Sequence, residues 1–398
     1  MRTATEKPNK WLALLAVTAA FSYTFISRYM WSPLMQDVSA EFLLNATQGG
    51  LYMSAFFVGY IVTQVPGGVL ADKVEPKYIL IAGTLVGGAA AALMSLISSY
   101  TLGLLFRLLA GIASGVIMSS CAKVLAREFD TNDRGVALGI LLAAPPLGIT
   151  IASMSGPLLN DALGWRGTFA VVGLFSLVVV LLISLFVRGS TAEETSNKLT
   201  KPRFVEGFKV FLYNRNQMLL VVAGFMFMFT TTGFPTWASG FVAAAGFTKG
   251  QGTVIATTYS LAGVIGSVVS GMLAHRLKLT HKTFLIITLG LMAGLSITMA
   301  FHWPFAVFVL FGIVYGFISY LPASHFTALA IELSSPQYTG TSVATQNLFF
   351  QTASVLQPAI LGRGIDITGG YTIIWLIFAA AMLIGSLASM RCRIARAD

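Results

Sequence analysis

Charge is scarce in this chain and cysteine scarcer still. Only 10% of the 398 residues are charged, against about a quarter in soluble proteins. The two cysteines, Cys121 near the end of an apolar run and Cys392 in a basic tail, exclude a disulfide framework or a cysteine metal cluster. The four histidines show no metal-ligand set, and no paired carboxylates or nucleophile with a spaced base point to an enzyme. No metal and no cofactor is expected. The most telling absence is of acid. None of the 15 Asp and Glu residues falls inside an apolar run; all lie in loops, tails or helix ends.

What is present is apolar. Hydrophobic residues make up 56% of the chain, in runs near 11–35, 47–71, 78–98, 101–125, 135–159 and 165–188, and again near 217–241, 251–274, 282–301, 304–330, 340–362 and 370–390. A membrane-crossing helix needs roughly 20 such residues, so the spacing predicts an all-α membrane protein of 12 transmembrane helices. The first run lacks a small-residue cleavage site and reads as a retained helix. The net charge of +10 would suggest nucleic acid in a soluble chain, but here it follows the loops. With the N-terminus inside, all but five of the 25 Lys and Arg fall in the termini and inner loops. That is the positive-inside pattern. It places both termini in the cytoplasm, in a multi-pass protein of a bacterial inner membrane, and leaves no nucleic-acid partner to invoke.

The chain is duplicated. "GGVLADKVEPKYILIAGTL" from Gly67 parallels "SGMLAHRLKLTHKTFLIITL" from Ser270, and "NDALGWRGTF" from Asn160 parallels "IDITGGYTII" from Ile365. A polar stretch divides the halves, giving a six-helix bundle over 1–188, a cytoplasmic loop over 189–216 and a second six-helix bundle over 217–398. Parallel repeats of this kind are pseudo-symmetric and expose a midplane site to each side in turn. A monomer suffices for that architecture.

Three motifs carry a resemblance to the major facilitator superfamily over essentially the whole chain: Gly68, Leu70, Ala71, Asp72, Lys73 and Lys77 after the second run, "RLLAGIASG" from Arg107, and "GPLLNDALGWRGTF" between the fifth and sixth runs. Within it, "SAFFVGYIVTQVPGG" and the first-run arginine resemble the anion:cation symporters. The resemblance implies alternating access, an anion-binding role for Arg28, and an inner latch in which Asp72, beside Lys73, pairs with a loop arginine such as Arg134. It also implies carboxylate proton sites where this chain has Ser27 and Ser114, so the coupling ion (proton, sodium or counter-anion) stays open.

The residues themselves point to an anion. Arg28 and Arg107 fall inside apolar runs at matching depth, where a lone arginine costs about 2.5–3.5 kcal/mol at the centre of a helix. One reading has each snorkel to the headgroups; the other has both face a cavity without fixed acid, so that a carboxylate or sugar acid supplies the counter-charge through a bidentate fork. Further candidate contacts are Thr24 and Ser32, one turn either side of Arg28, the stripe Tyr52, Tyr60 and Gln64 (with Phe56), and the polar face Asn347, Gln351 and Ser354. His325 is a candidate coupling group, or a packing histidine. The leading expectation is a secondary transporter of a small organic anion. The alternatives are a multidrug or metabolite efflux antiporter, and a sensor built on the same fold.

Overall fold

A computed structural model describes residues 9–189, 204–301 and 303–393. Every regular element among them is helical, as a lipid-embedded backbone requires, because a helix pairs its own N–H and C=O groups. The chain forms two compact units: Met1–Leu34 with Ala55–Lys198, and Met35–Ser54 with Leu199–Asp398.

The first unit takes α1 (Lys10–Tyr29), the start of α2 (Trp31–Glu41), most of α3 (Ala46–Lys73), α4 (Pro76–Met94), α5 (Tyr100–Gly115), α6 (Ile117–Glu128), α7 (Thr131–Leu142) and α8 (Ala144–Phe186). The first apolar run is therefore interrupted at Met30. Pro33 accounts for the break, since it lacks an N–H and its ring crowds the carbonyl four residues earlier. The fourth run divides at Val116, whose carbonyl accepts from the Ser119 and Ser120 hydroxyls, side-chain bonds that bend helices. The fifth and sixth runs are joined through Gly164, which has φ of 68° in the region that favours glycine. Glycines also set the distance between α3 and α5. A Cβ on Gly111 would stand 2.0 Å from the Phe56 carbonyl oxygen, and one on Gly59 would stand 2.2 Å from that of Leu108, so the two backbones touch as small-residue interfaces in membranes do.

The second unit holds the end of α2 and the start of α3, with α9 (Phe204–Tyr213), α10 (Arg215–Ala244), α11 (Lys249–Arg276), α12 (His281–Thr298), α13 (Phe305–Tyr320), α14 (Pro322–Glu332), α15 (Thr339–Thr368) and α16 (Thr372–Arg391). The helix α9 lies where the sequence suggests only a polar loop. It is amphipathic, and it buries Phe211 with its ring stacked on Phe349. At the centre of the unit Phe234 packs against Tyr259, Tyr315 and Trp375.

The segment 35–54 joins this unit for a visible reason. The first N–H groups of α3 have no partner within the helix, and Asp366 of α15 accepts from Ala46 N at 2.8 Å, Thr47 N at 3.0 Å and the Thr47 hydroxyl. Asn45 and Gln48 complete the end with reciprocal side-chain to backbone bonds, the geometry of a capping box. Ser54 then donates to the Val355 carbonyl.

Among the described residues nine helical stretches are long and apolar enough to cross a membrane. One of them, Asp133–Phe186, takes in the expected run 135–159 and all but the last two residues of 165–188. The helices α3 and α15, which match the runs at 47–71 and 340–362, have 28 and 30 residues but are not among the nine. In α15 the Thr, Gln, Asn and Ser residues lower the mean hydropathy.

Candidate functional site

Arg28 sits in the last turn of α1, 3% exposed. Its guanidinium carbon lies 4.7 Å from the Phe25 ring centroid on its own helix, and 5.0, 4.8 and 4.6 Å from those of Phe56, Phe57 and Tyr60 on α3. Four aromatic rings thus surround the cation, and a desolvated cation–π contact is worth about 2 kcal/mol or more. They do not replace hydrogen bonds. Arg28 Nε and Nη2 are buried without a hydrogen-bond partner, and no ion pair joins Arg28 to a carboxylate among the described residues. These two nitrogens share one edge of the guanidinium plane, the edge that grips two oxygens of a single carboxylate.

Arg107 is placed differently. It is 1% exposed on α5, shares the Phe56 ring with Arg28 at 5.0 Å, and donates through Nη1 to the Ser27 carbonyl at 2.9 Å and through Nη2 to the Arg28 carbonyl at 2.8 Å. Both carbonyls stand just before the break at Met30. The side chain braces that break and fixes the backbone that carries Arg28. The sequence gives the two arginines one task, whereas the geometry gives them two. Neither reaches outward as a snorkelling side chain would, since both are buried.

Of the other candidates in this unit, Tyr60 contributes a ring to the cage. Thr24 is buried and donates to the Phe21 carbonyl within its own helix, and Ser114 donates to the Ala110 carbonyl. Ser32 is buried on α2, and Gln64 is half-buried on α3. Arg134 donates to the Ala126 and Phe129 carbonyls. The side chains of Asp72 and Lys73 lie outside the described residues, so the latch is not visible. In the second unit Tyr52 is fully buried, Ser354 bonds to Gln351 Oε1 at 3.4 Å, and Asn347 is half-buried on the same helix. His325 is buried on α14 with its ring 4.2 Å from Phe284 and its Nδ1 2.7 Å from Nδ1 of His281.

The cage members that the sequence did not single out are Phe25 and Phe57. Phe25 could have been found by helical spacing, three residues before Arg28. Phe57 is off the Tyr52 stripe and gave no periodic signal. His281 was likewise missed as the partner of His325, because it is distant in sequence.

Comparison with known proteins agrees with this architecture. The chain is 26% identical to "Probable sulfoacetate transporter SauU" of Cupriavidus necator, over 90% of this chain and 87% of that protein. It is 22% identical to "Hexuronate transporter" of Bacillus subtilis, over 90% and 88%. In fold it is similar to a bacterial homologue of the human lysosomal transporter Spinster, with a TM-score of 0.82, 16% identity, and 99% and 100% of the two chains covered. The nucleoside transporter NupG follows at a TM-score of 0.81, 13% identity, and 96% and 99% coverage. The profile of the Major Facilitator Superfamily matches residues 16–358, and the chain is a member of that family, an integral multi-pass membrane transporter rather than an enzyme.

Proposed function

We propose that this protein is a secondary transporter of a small organic anion, a carboxylate or sugar acid, that works by alternating access with both termini in the cytoplasm. One observation carries the reading: the carboxylate-binding edge of Arg28, formed by Nε and Nη2, is buried without a hydrogen-bond partner among the described residues. Leaving a buried charged donor unsatisfied costs more than the about 1–3 kcal/mol of a neutral one, and an anion that accepts from Nε and Nη2 removes that cost. The relatives named as a probable sulfoacetate transporter and a hexuronate transporter support an organic anion as cargo. Because Arg28 is 3% exposed, the anion reaches it only when the aromatic cage opens, and the site is coupled to a conformational change from the outset. Tyr60, the ring nearest the guanidinium, adds a hydroxyl for a sugar acid.

Thermal stability of the purified protein against a panel of sulfoacetate, hexuronates, simple carboxylates and phosphate tests this. A ligand that binds only the folded state raises its apparent stability. We expect at least one organic anion to raise the melting temperature of the wild type and to leave Arg28→Ala unmoved. Equal shifts in the two proteins would remove Arg28 from the site.

A further inference from the structure

At the end of the second unit where α10 and α12 begin and α16 ends, a cavity of about 300 Å³ opens among Arg215, Asn216, Lys282, Met390, Arg391, Cys392 and Arg393. Four of these seven residues are cationic and none is acidic. No ion pair joins the four to a carboxylate among the described residues; Glu332 lies 3.5 Å from Nε2 of His281 and does not line the cavity. The walls are held rather than loose. Arg393 N donates to Asn216 Oδ1 at 2.9 Å, and the Cys392 thiol, 1% exposed, points at the Asn216 carbonyl at 3.8 Å, so the end of α16 is tied to the start of α10. The N-termini of α10 and α12 add partial positive charge at the same place, offset in part by the C-terminus of α16, whose last-turn Arg391 supplies a full positive charge there.

The depth of the cavity identifies the kind of ligand. Apolar sequence resumes at Met218 in α10 and at Phe284 in α12, and it ends at Met390 in α16, so the cavity stands at the level of lipid headgroups. Basic pockets between membrane helices at this depth bind anionic headgroups. Counting the four cations only as topology signals explains their side of the membrane, but not a concave, acid-free arrangement fastened by Asn216.

We propose that this cavity is a binding site for a phosphate group, as borne by an anionic phospholipid or by free phosphate. It stands on residues unrelated to Arg28 and does not depend on the transported substrate.

The test is the melting temperature of the full chain in a neutral detergent, titrated in three arms: phosphatidylglycerol, phosphatidylcholine with the same acyl chains, and inorganic phosphate. We expect phosphatidylglycerol to stabilise the wild type and phosphatidylcholine not to. In the double variant Lys282→Gln, Arg391→Gln the apparent affinity should fall about tenfold or more, while Lys282→Arg, Arg391→Lys retains it. A matching shift from inorganic phosphate identifies a free anion as sufficient ligand, and a shift from the lipid alone identifies the headgroup. In the wild type the shift should shrink as salt is raised, a readout that survives if the variants fold poorly. The proposal is overturned if phosphatidylcholine stabilises as well as phosphatidylglycerol, if neither phosphatidylglycerol nor phosphate moves the wild type, or if the double variant responds as the wild type does.

Discussion

Two arginines buried in one layer of a membrane helix bundle have divided the work between them. Arg107 spends its guanidinium on the Ser27 and Arg28 carbonyls, while Arg28 keeps its bidentate edge unused. Substitutions should separate these roles. Arg107→Ala strands two acceptors beside a helix break and should cost about 3 kcal/mol or more of stability, read as a fall in melting temperature without ligand. Arg28→Ala removes a charge that has no hydrogen-bonded partner on those two nitrogens, so it should lower the unliganded melting temperature less than Arg107→Ala does. If Arg28→Ala proves the more damaging of the two to folding, its edge is not free in solution. A further substitution probes coupling. Ser114 is buried, two turns along α5 from Arg107, and burial raises the pKa of an acid placed there. Ser114→Glu should therefore give uptake a slope between about pH 5 and 8, and a flat profile would mean that coupling is set elsewhere. Both arginines were legible in the sequence as residues too expensive to be idle. Their division of labour was not, because it depends on where the helix breaks and on which carbonyls then face α5.

At the scale of elements, the junction between α15 and α3 is the most exposed to test. Burial pushes the Asp366 carboxyl up, but the hydrogen bonds from Thr47 and Ala46, together with the charge of Arg363, outweigh it and hold the group below the ordinary carboxylate range. Asp366 lies beyond the apolar run of its helix. A carboxylate with a lowered folded pKa contributes stability that is complete above the unfolded pKa and is lost as pH falls through the folded one. Asp366→Ala should thus cost about 0.5–2 kcal/mol, the range for losing a helix cap, at neutral pH, and nothing once the wild-type group is protonated. A melting-temperature difference that persists unchanged in acid would contradict this. The sequence showed Asp366 only as part of the stretch from Ile365 that parallels the one from Asn160. Capping by a residue more than 300 positions away leaves no local trace, whereas the Asn45 and Gln48 pair is a local signature. The helix positions were legible from hydropathy, since each expected run overlaps a helix or a helix pair and runs past its ends by no more than a few residues. The breaks at Met30 and Val116 and the helix α9 were less so, because a proline, a pair of serines or a short amphipathic segment changes local geometry without changing mean hydropathy.

For the whole molecule, family membership and membrane integration follow from the match over residues 16–358 and from the apolar helices, and the sequence carried both through its motifs, its repeats and its lopsided basic residues. The transported species was legible only as a class. A missing acid is what suggests a negative cargo; it does not encode which anion. The direct measurement is counterflow uptake of labelled anion, sulfoacetate and a hexuronate in parallel, into proteoliposomes that hold wild type, Arg28→Lys or Arg28→Ala. We expect the wild type to accumulate at least one of them, Arg28→Lys to retain a small fraction because an ammonium lacks the paired edge, and Arg28→Ala to retain none. Uptake by Arg28→Ala at the wild-type rate would contradict the assignment.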